Sequence, residues 1–345
     1  MRTPINHKFV ITFFVVFLLN GFSWSSSFQV NADPLPDQFV IGYQETPNAE
    51  ALVREMGWNE REMGIPIKWV LFDSGSHVNK ALAAGEIDVG HVGTSPCAAG
   101  IARGIPMEVI WIHEVIGNAE ALVAKKALEL KTVEDLIGRR VGVPFGSTTH
   151  YHLFVALKLS QIPSVKIRMV NLEPKDIQEA WKANEIDAAF IWEPTQSRLL
   201  EEGGEVIVSS RELAERGYPT ADLCAVRKDF GEKYPSVVSG YLKNLDRAVQ
   251  FLRTEPQKAI EAVARQMGNT PEETSRQASG LIMLTAEEQL TGKYVGEMKW
   301  DFGIYMLLKD TADFLVEVNE LEASLPWAVF MRAVNPTFLK SVVQQ

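Results

Sequence analysis

Short apolar runs alternate with amphipathic helical stretches over the first two thirds of the chain. The runs of strand length are Phe39–Tyr43, Val70–Phe72, Val109–Trp111, Ala121–Val123, Arg140–Val143, Val170–Leu172 and Val206–Val208. Beyond about Arg227 the pattern becomes mainly helical, with amphipathic stretches at Tyr234–Leu252, Pro256–Met267, Pro271–Leu284 and Tyr305–Val318. Alternation of this kind predicts an α/β fold of mainly parallel sheets flanked by helices.

The chain also contains an internal repeat. Residues 84–89 read Ala-Gly-Glu-Ile-Asp-Val and residues 183–188 read Ala-Asn-Glu-Ile-Asp-Ala, so Asp88 and Asp187 lie 99 positions apart. Gly42 and Gly142, each within a strand that leads into a polar turn, lie 100 apart. Two strand-turn-helix units at one offset predict two similar lobes. Because ligands bind at the carboxyl ends of strands in open α/β sheets, the binding loops of two facing lobes should meet in one cleft.

The N-terminus has the pattern of an export signal. Arg2 and Lys8 precede an apolar run, Phe9–Leu19, that is too short to span a bilayer comfortably. Val30-Asn31-Ala32 fits a small-x-small cleavage site, which predicts a signal peptide at residues 1–32 and a mature start near Asp33. A membrane anchor is the alternative interpretation.

Composition narrows the possible partners. The 345 residues carry a net charge of −10, which becomes −12 when Arg2 and Lys8 are removed with the signal. An acidic surface argues against nucleic acid as a partner, and it means that an anionic ligand must be held by local dipoles. The two cysteines, Cys97 and Cys224, show no metal-ligand spacing and are expected to be free and buried, although one long-range disulfide stays open.

Turns rich in hydroxyl groups follow several strands and precede helices. They supply the candidate ligand-binding residues Ser74, Thr94, Ser95, Ser147, Thr148 and Thr149, to which the turn after the first strand adds Gln44. A helix N-terminus offers unpaired N–H groups and the positive end of a dipole, so such turns can hold an oxyanion without a buried Lys or Arg. Each hydroxyl taken alone is also explained as a plain helix N-cap.

Trp192, at the end of the repeated strand, is a candidate wall of the cleft, or else it is core packing. The chain contains no HExxH, GxSxG or GxxxxGK[ST] motif, and His150 and His152 are two apart, which places them on different faces of a helix. The sequence therefore predicts a binding protein that is not an enzyme and that needs no cofactor or metal.

At these residues the sequence resembles the taurine-binding subunits of bacterial ABC importers, within a larger group that binds aliphatic sulfonates, nitrate and thiamine precursors. The resemblance covers residues 38 to 315. The matching stretches include Gly93-Thr94-Ser95-Pro96 and Asn118–Val123, and those most specific for the taurine branch are Phe72-Asp73-Ser74-Gly75, Ser147–Tyr151 and Val226–Phe230.

The resemblance implies a two-lobed periplasmic-binding-protein fold of type II. We expect lobe 1 to comprise residues 33–124 and 226–345 and lobe 2 residues 125–225, with crossings near Ala124–Lys126 and Asp222–Arg227. The resemblance also implies that the hydroxyl-rich turns hold a sulfonate and that Asp222 pairs with the taurine ammonium. From the residues alone, Asp222 is either a hinge group or a partner for a cation.

The implied location is the periplasm, and the implied partners are an ABC permease in the inner membrane and its cytoplasmic ATPase. Glu45 and Glu193 depart from the expected pattern, so another amino-sulfonate is a possible ligand. The alternatives are another aliphatic sulfonate, nitrate or a thiamine precursor as ligand, and, from other classes of protein, an enzyme of thiamine-precursor synthesis or a ligand-sensing domain.

Overall fold

In a computed structural model, residues 34–291, 294–295 and 303–344 are described. The predicted signal peptide, including Phe9–Leu19, lies outside the described residues. The strands are β1 (Phe39–Tyr43), β2 (Ile67–Leu71), β3 (Val89–Gly93), β4 (Met107–Ile116), β5 (Glu120–Lys125), β6 (Arg140–Val143), β7 (Arg168–Asn171), β8 (Ala188–Trp192), β9 (Gly204–Ser209), β10 (Ala221–Arg227) and β11 (Leu281–Ile282).

The α-helices follow the predicted alternation and then dominate the C-terminal part. They are α1 (Ala49–Met56), α2 (Trp58–Glu62), α3 (Gly75–Ala84), α4 (Thr94–Ala102), α5 (Thr148–Leu159), α6 (Pro174–Lys182), α7 (Thr195–Glu201), α8 (Ser210–Glu215), α9 (Lys228–Lys233), α10 (Pro235–Thr254), α11 (Pro256–Met267), α12 (Pro271–Ala278), α13 (Ala286–Gln289), α14 (Ile304–Glu317), α15 (Trp327–Arg332) and α16 (Thr337–Val343). Among the described residues, no helix has the length and apolar character needed to cross a membrane.

The strands form two sheets with the same plan. The first has the order β11-β4-β10-β3-β1-β2, and the second has the order β7-β6-β8-β5-β9. In each, three parallel strands are followed by one that runs antiparallel to them, β10 in the first sheet and β5 in the second. The α/β fold with two sheets flanked by helices is as predicted.

The repeated residues make equivalent contacts in both sheets. The carboxylate of Asp88 accepts a hydrogen bond from the Val40 N–H at 2.8 Å, and that of Asp187 accepts one from the Arg140 N–H at 2.9 Å. Gly42 and Gly142 leave room for the isoleucine that precedes each aspartate: a Cβ at these glycines would lie 2.7 Å and 3.0 Å from the Cδ1 atoms of Ile87 and Ile186. The repeat therefore fixes how each strand packs on its neighbour.

The chain passes between the sheets at the ends of β4 and β9. β5 already belongs to the second sheet from Glu120, so the first crossing falls between Ile116 and Glu120, a few residues before the expected Ala124–Lys126. β10 belongs to the first sheet from Ala221, where it pairs with both β3 and β4, so the second crossing falls between Ser209 and Ala221 and not within the expected Asp222–Arg227. We keep lobe 1 and lobe 2 as names for the two sheets with their helices, and the boundaries of the lobes in sequence stay a prediction.

The predicted helix Pro271–Leu284 is wrong in its second half. α12 ends at Ala278, and the chain turns through Gly280, whose carbonyl accepts a hydrogen bond from the Gly117 N–H at 2.9 Å. A side chain at Gly280 would overlap the backbone of Ala119, so this close approach requires glycine. Leu281 and Ile282 then form β11 on the edge of the first sheet instead of continuing the helix.

Apolar cores lie within each lobe. In lobe 1, Phe39 stacks on Phe230 with ring centroids 5.3 Å apart and meets the edge of Tyr241 at 5.7 Å. In lobe 2, buried residues cover both faces of the sheet, and Phe314 from α14 packs edge-on against Tyr151 at 5.0 Å. Cys97 and Cys224 are both buried and free, as expected.

Candidate functional site

A cavity lies between the two lobes. Strand ends and helix starts from both sheets supply its walls, as predicted for facing α/β lobes. The cavity is lined by Gln44, Thr46, Gly75, His91, Gly93, Pro96, Ile116, Ala119, Glu120, Ser147, Thr148, Trp192, Glu193, Asp222 and Leu281.

The predicted site residues divide into two groups. Gln44, Ser147, Thr148, Trp192 and Asp222 line the cavity. The others are buried beside it without lining it, namely Ser74, Thr94, Ser95 and Thr149. At the starts of α3 and α4, the glycines Gly75 and Gly93 bring backbone to the cavity in place of the predicted hydroxyls.

The lobe 2 wall is the start of α5. The Ser147 hydroxyl caps this helix by accepting from the His150 N–H at 3.1 Å, and it donates to the Pro144 carbonyl at 2.6 Å. Since that proton is used, the 2.8 Å contact with Thr149 must be donated by the Thr149 hydroxyl. The hydroxyls of Ser147 and Thr149 are thus engaged within the turn. The first N–H groups of the helix have no intrahelical acceptor, and they are the donors left for an anion.

Thr148 connects this wall to a buried carboxyl group. Its hydroxyl donates to Glu120 Oε1 at 2.5 Å, and the Ser210 hydroxyl lies 3.1 Å from Glu120 Oε2. Burial raises the pKa of Glu120 to about 8, and the negative charge of Asp222 adds to the effect. At neutral pH, with no cation beside it, Glu120 is therefore mostly protonated.

The hydrogen bonds around His152 also indicate that Glu120 is protonated. Its Nε2 lies 2.8 Å from the Tyr218 carbonyl, which only accepts, so Nε2 carries a proton. Burial lowers the pKa of His152 to about 4, so the ring is neutral and Nδ1 accepts from the Ser210 hydroxyl at 2.7 Å. The Ser210 hydroxyl donates its proton to His152 Nδ1. The hydrogen bond between Ser210 and Glu120 must therefore be donated by a protonated Glu120.

The lobe 1 wall is built around Asp222 on β10. Asp222 pairs with Gly93 on β3 and with Glu114 on β4, and its Oδ2 lies 3.6 Å from His91 Nε2. A Cβ at Gly93 would lie 2.7 Å from Thr148 Cγ2 and 3.2 Å from Asp222 Oδ1. Glycine at this position therefore lets the two walls approach each other.

Behind Asp222 lies a buried cluster of ionisable residues that the sequence analysis missed. It consists of Glu50, His91, His113 and Glu114. Burial alone would lower the pKa of His91, but Asp222 and Glu50 raise it well above its ordinary value. Burial also lowers the pKa of His113 to about 4 and raises that of Glu114 well above its ordinary value. His113 and Glu114 interrupt the apolar run of β4, which was the available signal in the sequence.

The two departures noted in the sequence occupy different places. Glu45 is exposed and does not line the cavity. Glu193 does line it, but its oxygens accept from the Ser197 N–H at 3.0 Å and from the Ser197 hydroxyl at 2.8 Å, so it caps α7. Trp192, next to it, is partly buried and forms part of the wall.

Carboxyl groups outnumber basic groups among the side chains that line the cavity. The lining residues include the carboxyl groups of Glu120, Glu193 and Asp222, and they include neither Lys nor Arg. His91 is the lining residue that can carry positive charge. Such a cavity favours a ligand with a cationic group, and any anionic group of the ligand must rely on backbone N–H donors.

The two lobes have the same strand arrangement, the chain crosses between them twice, and a polar cavity lies between them. This is the fold of a periplasmic solute-binding protein. The chain belongs to the NMT1-like family, whose model matches residues 33–268. It is 35% identical to a taurine-binding periplasmic protein of Escherichia coli over 290 residues, which covers 82% of this chain and 88% of that protein.

Solved structures agree on the fold. The alkanesulfonate-binding protein SsuA from Xanthomonas axonopodis pv. citri, bound to MOPS, superposes with a TM-score of 0.72 at 22% identity, covering 88% of this chain and 99% of SsuA. The desulfurization enzyme DszB superposes with a TM-score of 0.64 at 16% identity, covering 90% of this chain and 99% of that enzyme. The fold is therefore shared by binding proteins and by an enzyme.

Proposed function

We propose that this protein binds a small zwitterionic amino-sulfonate, with taurine as the ligand, and delivers it to an ABC importer. The observation that carries the proposal is the composition of the cavity. One wall is a helix start with free N–H donors, the carboxyl groups of Glu120 and Asp222 lie nearby, and no Lys or Arg lines the space. The 35% identity to a taurine-binding protein supports the same ligand.

Each end of the ligand has a chemical counterpart. The sulfonate accepts from the N–H groups at the start of α5, where the helix dipole favours negative charge. The ammonium lies near Asp222 and Glu120, because a buried cation needs an anionic partner. Trp192 packs against the short alkyl chain. Glu120 is a ligand residue that the sequence analysis did not select, although it lies within the matching stretch Asn118–Val123.

The proposal includes no catalytic step. Among the lining residues there is no cysteine, and Cys97 is buried with a pKa raised to about 12 by that burial. A thiol in this state is a poor nucleophile. We therefore assign binding and not turnover to the cleft, in contrast to the enzyme that shares the fold.

Export and delivery complete the proposal. The signal peptide is removed near Asp33, the mature protein resides in the periplasm, and the ligand-loaded form docks on an inner-membrane permease with its ATPase. Sequencing the N-terminus of exported protein tests the first step, and a mature protein that retained Phe9–Leu19 would contradict it.

A ligand screen tests the binding function. Taurine, ethanesulfonate, ethylamine, sulfate and nitrate are compared by thermal shift and calorimetry on the mature protein. Taurine at about 100 times its dissociation constant should stabilise the protein by about 2.7 kcal/mol. Taurine should bind more tightly than either one-ended analogue, ethanesulfonate or ethylamine. If ethanesulfonate binds as tightly as taurine, the amine has no partner, and the function becomes that of a general sulfonate-binding protein.

A further inference from the structure

Three side chains on adjacent strands converge at the lobe 1 edge of the cavity. His91 on β3 directs Nε2 toward Asp222 Oδ2 at 3.6 Å and toward Glu114 Oε1 at 3.8 Å. One ligand atom from each residue lies within 4.8 Å of the others. Because β10 lies between β3 and β4, the sheet itself holds the three residues together.

Each of the two inner side chains is oriented by a buried partner. His91 turns its other nitrogen, Nδ1, toward Glu50 Oε2 at 3.5 Å, and Glu50 accepts a hydrogen bond from the Tyr241 hydroxyl at 2.5 Å. Glu114 accepts from the Asn48 amide at 3.0 and 3.2 Å. A histidine with a carboxylate on its far nitrogen is the usual arrangement around a bound metal ion.

The hydrogen-bonding state of His91 is a second, independent sign of a ligand. The His91 side chain is 1% exposed, and its Nδ1, which lies 3.5 Å from Glu50 Oε2, forms no hydrogen bond of good geometry. Its Nε2 lies beyond hydrogen-bond distance of both carboxylates and faces the cavity, which His91 lines. Glu50, Glu114 and Asp222 bring three acids to this place, and among the described residues their ion-pair partners are His91 and His113 and not Lys or Arg.

We propose that His91, Glu114 and Asp222 bind a divalent transition metal ion such as Zn²⁺. Bonds of about 2.0–2.2 Å in a tetrahedral site place ligand atoms about 3.3–3.6 Å apart. The ligand atoms of the three side chains already lie within 4.8 Å of one another, so small movements bring them around an ion. Three protein ligands leave a fourth coordination position free, and two of the three, His91 and Asp222, line the cavity. The spacing of the residues along the chain gave no hint of this site, because the ligands come from three strands that are distant in sequence.

A neighbouring group, Glu50 with His91 and His113, is the poorer candidate. The imidazole rings of His91 and His113 stack with centroids 4.5 Å apart and planes 16° apart. A metal bound to a histidine lies in the plane of its ring, and one ion cannot lie in two nearly parallel, offset planes. His113 is therefore a matched control, since it touches His91 without belonging to the proposed site.

The metal and the ligand amine share Asp222, so each should exclude the other. This consequence rests on the proposed function, whereas the metal site itself does not. Glu114 separates the two, because it belongs to the metal site and does not line the cavity. Glu114→Gln keeps the shape of the side chain and a hydrogen-bonding group for Asn48 while it removes the negative charge.

Zinc titration tests the site. Mature protein is stripped with a chelator, dialysed, and titrated with Zn²⁺ alone in a calorimeter, with circular dichroism to confirm that each variant is folded. We expect one Zn²⁺ per chain with micromolar or tighter affinity, a loss of at least tenfold in His91→Gln and Glu114→Gln, and no loss in His113→Gln. The absence of saturable 1:1 binding in the wild type, or equal affinity in wild type and Glu114→Gln, would overturn the proposal.

Taurine titration of the same proteins separates this proposal from the proposed function. Zn²⁺ should raise the apparent dissociation constant for taurine in the wild type and leave it unchanged in Glu114→Gln, which binds taurine within about threefold of the wild type. If Zn²⁺ binds and taurine does not, the metal site stands and the proposed function fails. If taurine binds and Zn²⁺ does not, the proposed function stands and the metal site fails.

Discussion

The two lobes share one backbone plan and differ in the chemistry that they bring to the cavity. Lobe 2 offers a helix start, engaged hydroxyls and one protonated carboxyl group, Glu120. Lobe 1 offers Asp222 backed by a buried cluster of acids and histidines. The repeat therefore preserved what positions a strand, such as Asp88 and Asp187, and left the strand ends free to diverge. Because the strand ends of the two lobes differ in chemistry, the cleft between them is suited to a ligand whose two ends also differ.

The largest expected effect on taurine affinity comes from a substitution in the lobe 1 wall, at Asp222. Asp222→Asn keeps the shape and removes the charge that we pair with the ammonium. Taurine binding should weaken by about 2–4 kcal/mol, because a desolvated cation then lacks its partner. Ethanesulfonate, which has no ammonium, should keep or improve its affinity. Calorimetry with both ligands decides the matter, and Glu193→Gln is the control, since Glu193 is engaged with Ser197. An equal loss for both ligands would make Asp222 a structural residue.

Two buried histidines, His152 in lobe 2 and His91 in lobe 1, should affect stability in opposite directions. In lobe 2, the pKa of His152 is about 4 in the folded protein, below its unfolded value of about 6.5. The unfolded state thus takes up the proton first, and the free energy of unfolding falls as pH drops from 6.5 to 4, by about 3 kcal/mol for this residue. His152→Gln should remove that part of the slope in denaturant titrations.

In lobe 1, the pKa of His91 is raised by Asp222 and Glu50. Its contribution to stability is complete below the unfolded pKa and is lost as pH rises through the folded value. His91→Gln should therefore flatten the curve at high pH. Chemical denaturation of the metal-free protein from pH 4 to 10 measures both variants, and a shared sign would remove this difference between His152 and His91.

A pH titration of binding sharpens the role of Glu120. The pKa of Glu120 is about 8 in the protein without a bound cation. Binding of the taurine ammonium beside Glu120 should therefore be accompanied by loss of the Glu120 proton. Taurine affinity should therefore rise with pH between about 6 and 8, by up to tenfold per unit. Ethanesulfonate should show the opposite trend, because an anion prefers the protonated form. Glu120→Gln should flatten both curves, and unchanged slopes in this variant would assign the pH dependence to another group.

Periodicity and the repeat were sufficient to predict the alternating α/β fold and the meeting of strand ends, because both depend on local patterns. The repeat also located Gly42 and Gly142, whose role is packing. The pattern failed at Leu281 and Ile282, where apolar residues that fit a helix were drawn into the sheet by the close approach of Gly280 to Ala119. Such an approach depends on distant chain segments and has no local signature.

For the candidate site, the sequence predicted the correct turns but not the groups that face the cavity. A hydroxyl residue in the first turn of a helix can line the cavity, as Thr148 does, or be buried without lining it, as Ser95 is, and the local sequence pattern is the same in both cases. The buried charges were missed for a different reason. Glu50, His91 and Glu114 are distant in sequence, and they become a cluster only when β3, β4 and α1 pack together.

The smallest expected effects separate those two kinds of hydroxyl. Thr148→Val removes a donor to buried Glu120 and should weaken taurine binding by about 1 kcal/mol. Ser95 is also fully buried at a helix start, but its hydroxyl has no hydrogen-bond partner and it does not line the cavity. Ser95→Ala should therefore change taurine affinity by less than about 0.5 kcal/mol, and it should leave stability equal or slightly higher, because an unpaired buried hydroxyl is removed. Calorimetry and thermal unfolding of the two variants side by side make the comparison. A loss of 1 kcal/mol or more in Ser95→Ala would mean that the hydroxyl reaches the ligand, and the anion would then lie at the start of α4 in lobe 1 instead of at the start of α5.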